Sequence, residues 1–220
     1  MTNMLKKLLK ILLWLIGGGV LLIVLTLAGF YLYFAIPMQK NFAKLEAVTF
    51  SDCATGDRWQ MTTPLENHPS QLLGVFAVID SNQFDLMLAR KLIEGLYHSH
   101  SEFTPRYAVA TLEIKRHYTT QKRLELAINH YHMGSKGSCH VFGMIAAAKY
   151  YFGKTPQQLS IAEMALLVGL AGKANKHPDR AQQGRYRILQ RLLDKHLITE
   201  AEYQTALKEP LPAKPHLPEK

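Results

Sequence analysis

The chain opens on a long apolar stretch and then changes character. No charged side chain occurs from Ile11 to Gln39, and about 20 apolar residues suffice to cross ~30 Å of hydrocarbon. A transmembrane helix is therefore expected over residues 11–37. Lys6, Lys7 and Lys10 precede it, which by the positive-inside tendency makes residues 1–10 a basic cytoplasmic tail and places the rest outside. Trp14, Tyr31 and Tyr33 suit the two membrane interfaces. A cleaved signal peptide would carry only about 7–15 apolar residues before a small-x-small cleavage site, so the run is too long for one.

Residues 38–63, with Val48, Phe50, Trp59 and Met61 among polar neighbours, form an irregular or strand-containing lead-in. From residue 64 the apolar positions recur at helical spacing. Leu72, Val75, Phe76 and Ile79 give one short helix, and Leu88, Leu92 and Leu96 a second. Thr104-Pro105 starts a third, with a hydroxyl at the cap and proline at the first helical position. A fourth is predicted from about Thr120 to Tyr131, before a loop at Gly134-Ser-Lys-Gly-Ser138. Gly153 ends the helix that holds Ile145, Ala148 and Phe152. The capping box Ser160-Ile-Ala-Glu163 opens a run from Met164 to Leu170 that suggests a helix buried on most sides. Helices over 179–196 and, after the box Thr199-Glu-Ala-Glu202, over 200–208 complete an all-α domain spanning 64–209. Residues 210–220, with four prolines, form an extended tail.

Charge and cysteine content change this picture only modestly. The 26 Lys+Arg outweigh 17 Asp+Glu, an excess that favours phosphate-bearing ligands, anionic lipid or nucleic acid without choosing among them. Cys53 and Cys139 both fall on the side expected to be oxidising, where they can bridge or remain two thiols. His98 and His100, like His130 and His132, are two positions apart, which sends helical side chains to different faces. No metal site is read from them.

The succession Leu124-Glu-Leu-Ala-Ile-Asn-His-Tyr-His-Met-Gly134, then Val141-Phe-Gly-Met-Ile-Ala-Ala-Ala-Lys-Tyr-Tyr-Phe-Gly-Lys154, then Leu159-Ser-Ile-Ala-Glu-Met-Ala-Leu-Leu-Val-Gly-Leu170 carries more specific information. In order and spacing it resembles the peptidoglycan glycosyltransferases, found as monofunctional transglycosylases and as the first domain of large penicillin-binding proteins. The likeness extends through Arg185-Tyr-Arg-Ile-Leu189 and Leu197 to Tyr203. It implies a lysozyme-like fold behind one transmembrane helix, in which lipid II is added to a growing glycan chain. It also implies a single-pass protein of the bacterial inner membrane with a periplasmic domain. Its expected partners are lipid II or glycan strands, the membrane and other cell-wall synthesis proteins, with no nucleic acid, and a divalent cation (Mg or Mn) assists the family's diphosphate chemistry.

The family's base is the Glu of a Glu-Asp-x-x-Phe motif, which takes a proton from the acceptor 4-hydroxyl. Aligned through Pro64-Leu65-Glu66, Pro69 and Leu72, the chain places Asp80-Ser-Asn-Gln-Phe84 there, so Asp80 is the candidate catalytic residue on a stem one methylene shorter. A misplacement of ~1 Å can cost about a hundredfold in rate. The second family glutamate falls on Tyr107, and nothing between Asp80 and Tyr107 resembles the family's Gly-Gly-Ser-Thr-x-x-Gln-Gln segment. Lys122, Glu125, Asn129 and Arg185 remain as candidate substrate-binding residues. Lys122 and Arg185 would contact diphosphate or glycan as charge-assisted donors, while Glu125 and Asn129 would orient the helix and the following loop. The function expected from this pattern is a cell-wall assembly protein that binds lipid II or nascent glycan with catalysis reduced or lost. The alternatives are an active polymerase using Asp80 and a non-enzymatic, membrane-anchored partner-binding protein.

Overall fold

In the computed structural model the described residues are 2–47, 50–51, 53, 58–79, 81–94, 96, 105–136, 139–170 and 178–210. Asp80 and the tail beyond residue 210 lie outside them.

The first helix, α1 (Thr2–Glu46), is continuous for 45 residues. Its most apolar stretch, of mean hydropathy 2.3, has none of its surface buried by the protein. A helix this long and apolar can cross a membrane, so the chain carries one candidate span near its N-terminus, which supports a single-pass arrangement. Further along, Ala35, Met38, Phe42 and Leu45 are buried, spaced alternately three and four apart, with Tyr31 and Phe34 packed beside them. This stripe docks α1 onto the domain. Contact thus begins at about Tyr31, which leaves Leu13–Phe30 as the freely exposed apolar segment, about 27 Å long at 1.5 Å per residue. Asn41, itself buried, donates to the Leu92 carbonyl at 2.7 Å. Tyr31 and Gln39 both donate to Glu113, the latter at 3.0 Å.

The domain follows as α2 (Ser70–Ala77), α3 (Ser81–Leu92), α4 (Pro105–His117), α5 (Thr120–His130), α6 (Met144–Phe152), α7 (Ile161–Leu170), α8 (Pro178–Asp194) and α9 (Glu200–Lys208). Both capping boxes form. Ser160 and Glu163 exchange backbone-to-side-chain bonds of 2.9 and 3.1 Å at the start of α7, and Thr199 and Glu202 do so at α9. Gly153, at φ 66°, ends α6 in the left-handed conformation that glycine adopts without penalty. Ala162, Met164, Ala165, Leu166, Leu167 and Val168 are all buried, so α7 is the core helix that its unbroken apolar run suggests. It meets α8 where Gly169 and Gly184 face each other, and a Cβ on Gly184 would lie 2.4 Å from the Gly169 carbonyl oxygen.

The all-α expectation needs correction. Strands β1 (Phe50–Ser51), β2 (Arg58–Met61), β3 (His132–Lys136) and β4 (Cys139–Phe142) form one sheet in the order β1-β2-β4-β3. Strand β2 runs parallel to β4, and the other two pairs are antiparallel. The segment expected to be a loop from Gly134 to Ser138 instead belongs, through Lys136, to β3, with an irregularity between His132 and Gly134. These strands are two to five residues long, too short for an alternating pattern to register, and β2 finds β4 from some 80 positions away in sequence. A disulfide joins Cys53 to Cys139, with Cα atoms 5.6 Å apart, and ties the lead-in to the β3–β4 hairpin.

Candidate functional site

Helix α5 begins at Thr119, whose hydroxyl accepts from the Lys122 backbone N–H at 3.2 Å. Lys122, Glu125 and Asn129 follow at three- and seven-residue intervals, so all three share one face. That face receives the lead-in. The Lys122 ammonium donates to Glu125 Oε1 at 2.6 Å, and Glu125 Oε2 accepts from the Leu65 N–H at 3.4 Å. Asn129 bonds Thr63 twice, accepting from its N–H at 3.2 Å and donating to its carbonyl at 2.8 Å. Its own carbonyl accepts from Gln60 at 3.0 Å. Glu125 and Asn129 therefore orient the segment before α2. The Asn129 backbone also lies against the turn between β4 and α6, where Gly143 (φ 78°) comes so close that a Cβ there would sit 2.6 Å from the Asn129 carbonyl oxygen.

His68 completes this cluster and was not among the residues read from sequence. It is buried, and burial pushes its pKa below the ordinary 6.5, opposed by the nearby Asn129 amide and Glu125 carboxylate. The ring is therefore neutral at pH 7. A histidine next to Pro69 carries no sequence signal of its own, and only its proximity to α5 in space reveals it.

Beneath α5, Asp85 on α3 is buried and pairs with Arg123 at 2.8 Å and Lys115 at 3.4 Å. This ionic node fixes α3, α4 and α5 together. His130, at the end of α5, faces the Leu45 carbonyl through Nε2 at 2.8 Å and Gln60 Nε2 through Nδ1 at 3.0 Å. The carbonyl can only accept and the amide nitrogen only donate, so the ring is the neutral Nε2–H tautomer. Burial lowers its pKa accordingly.

The other sequence-derived candidates lie elsewhere. Tyr107 packs against the apolar cluster formed by α1, α3 and α4. Arg185 is buried and donates through Nη2 to the carbonyls of Ala206, Leu207 (3.2 Å) and Glu209 (2.8 Å). These are the orphan acceptors at the end of α9, so Arg185 is spent on a helix terminus and is not brought beside Lys122. Lys122 differs in keeping its side chain 40% exposed. The face can thus offer a cation held in place to an anionic group. It does not offer a carboxylate free for a divalent cation, since Glu125 is committed to Lys122 and Leu65. Among the described residues no group of three or more His, Cys, Asp or Glu converges.

Residues 96–193 match the family model described as Transglycosylase, a span that begins after Asp80. Penicillin-binding protein 1A of Haemophilus influenzae is 36% identical over 116 residues, covering 50% of this chain and 13% of that protein. The Aquifex aeolicus protein of the same name is 37% identical over 112 residues, or 49% of this chain and 15% of its own length. A Cupriavidus necator protein provisionally named a transglycosylase is 41% identical over 103 residues, which is 44% of this chain and 43% of that one. The chain therefore spans well under two thirds of these relatives. The crystal structure of the Haemophilus influenzae protein aligns with a TM-score of 0.47 at 25% identity, over 71% of this chain and 18% of that one. Homology thus supports a glycosyltransferase domain of the transglycosylase kind in the second half of the chain, behind one candidate membrane-spanning helix.

Proposed function

We propose that the protein serves cell-wall assembly, binding lipid II or nascent glycan at the α5 face, with polymerase catalysis reduced or lost. In this reading the N-terminus is cytoplasmic and the domain is periplasmic. The observation that carries it is the Lys122 ammonium, held at 2.6 Å by a Glu125 that is itself tied to the lead-in, yet exposed enough to donate to a diphosphate oxygen. A pre-positioned cation loses little side-chain entropy on binding and makes a charge-assisted bond. Reduced catalysis is supported by Tyr107, which occupies the aligned place of the second family glutamate and packs its ring into apolar surroundings. It is supported also by the shorter carboxylate aligned at Asp80 and by the family segment with no counterpart between these two residues.

Binding of fluorescent lipid II to the full-length protein in detergent micelles tests the reading. Lys122→Gln is expected to weaken it by about tenfold, the worth of one charge-assisted hydrogen bond. Equal binding by the variant, or none by the wild type, would remove the α5 face from the ligand site.

A further inference from the structure

On the β3–β4 hairpin two histidines that sequence spacing does not pair are brought face to face. Ser135 stands opposite His140 and His132 opposite Phe142, which makes the histidines diagonal neighbours on one face of the ribbon. His132 Nε2 and His140 Nδ1 share a hydrogen bond at 3.4 Å, a proton position that a metal ion can take over, while the rings, tilted by 52° with centroids 5.5 Å apart, do not stack. Two nitrogens bound tetrahedrally at ~2.0–2.1 Å to one zinc ion are separated by about 3.3–3.4 Å. We propose that His132 and His140 form a two-imidazole site for a borderline transition ion such as zinc, with its remaining positions open to water or to an anionic group.

The charged surroundings decide which ion fits. Arg58 on β2 and Lys91 on α3 sit 4.6 and 4.7 Å from the Phe142 ring centre, and Phe142 is 5.1 Å from His132. Glu94, paired with Lys91 at 3.0 Å, offsets part of this charge. A hard, oxygen-seeking ion such as magnesium gains little from two imidazoles and meets net repulsion, whereas zinc forms directed bonds to nitrogen. The same positive field favours an anion as the third ligand. The ion would clip β3 to β4 beside the Cys53–Cys139 bridge.

Calorimetric zinc titration of tag-free, full-length protein in micelles, with cobalt absorption as a readout of geometry, tests the site. One equivalent is expected to bind, with magnesium in excess failing to compete. His132→Ala and His140→Ala should each weaken it by at least about tenfold without altering the circular dichroism spectrum. Lys91→Gln should tighten it by a few-fold by removing repulsion. The proposal is overturned if the double His132→Ala/His140→Ala variant binds zinc as the wild type does. It is equally overturned if Lys91→Gln weakens zinc binding while abolishing binding of inorganic phosphate, which would make the cluster an anion site.

Discussion

Lys122 on α5 and Arg185 on α8 carry the same charge and were both expected to contact diphosphate or glycan, yet the fold uses them in opposite ways. Lys122 spends one bond on Glu125 and keeps its head in solvent. Arg185 is buried, and its Nη2 donates to three carbonyls at the end of α9. A basic residue in a family motif can therefore mark either a ligand contact or a helix-end clamp, and what separates the two is the number of orphan acceptors within reach. Burial lowers the Arg185 pKa from its ordinary value, opposed by the charges of Glu209 and Tyr186.

The largest effect is expected beneath the α5 face. Asp85→Ala strands Arg123 next to an emptied, buried position, and breaking a buried pair in this way costs about 3–5 kcal/mol. Chemical denaturation should show the loss, and a variant as stable as the wild type would mean that α5 is held by something other than the ionic node. Arg185→Met should come next, at about 2–3 kcal/mol, as carbonyls at the end of α9 lose their donor. If it instead left stability intact and weakened lipid II binding, the contrast with Lys122 would fail.

Those two sites also show how far the sequence could be read. The helices from α5 to α9 were legible because their apolar positions recur at helical spacing and because Ser160/Glu163 and Thr199/Glu202 announce their starts. Strands were anticipated only in the lead-in, where β1 and β2 lie; the β3–β4 hairpin and the pairing of β2 with β4 were hidden, since β2 and β4 are four residues each and meet only through long-range pairing. Glu125 and Asn129 were expected to orient α5 and the loop after it. Glu125 holds Lys122 within α5 at 2.6 Å, and beyond the helix the two residues also bond Leu65 and Thr63, which precede them by some 60 positions. No local pattern encodes such contacts. The same holds for His68, and for His132, whose partner on the hairpin is eight residues away and not two.

A smaller effect depends on pH. His68 and His130 are both held neutral, with folded pKa values below 6.5. Below about pH 6.5 the unfolded chain takes up protons at these positions before the folded one does, so stability falls as pH drops from 6.5 toward the folded pKa values. The slope is at most ~1.4 kcal/mol per pH unit for each histidine. Urea midpoints at pH 7.5 and 5.5 measure it, and an unchanged midpoint would contradict the buried, neutral assignments. The smallest stability effect belongs to Lys122→Gln, about 0–1 kcal/mol for a half-exposed pair, and a larger loss would place Lys122 with Arg185 among the structural cations.

Glycan polymerisation tests the central claim most directly. Full-length protein would be given lipid II and a divalent cation beside an active monofunctional enzyme and the Asp80→Asn variant. The account predicts no polymer, or a trace, from the wild type while the control is active. Robust polymer from the wild type that disappears in Asp80→Asn would contradict it and establish a working polymerase with aspartate as its base.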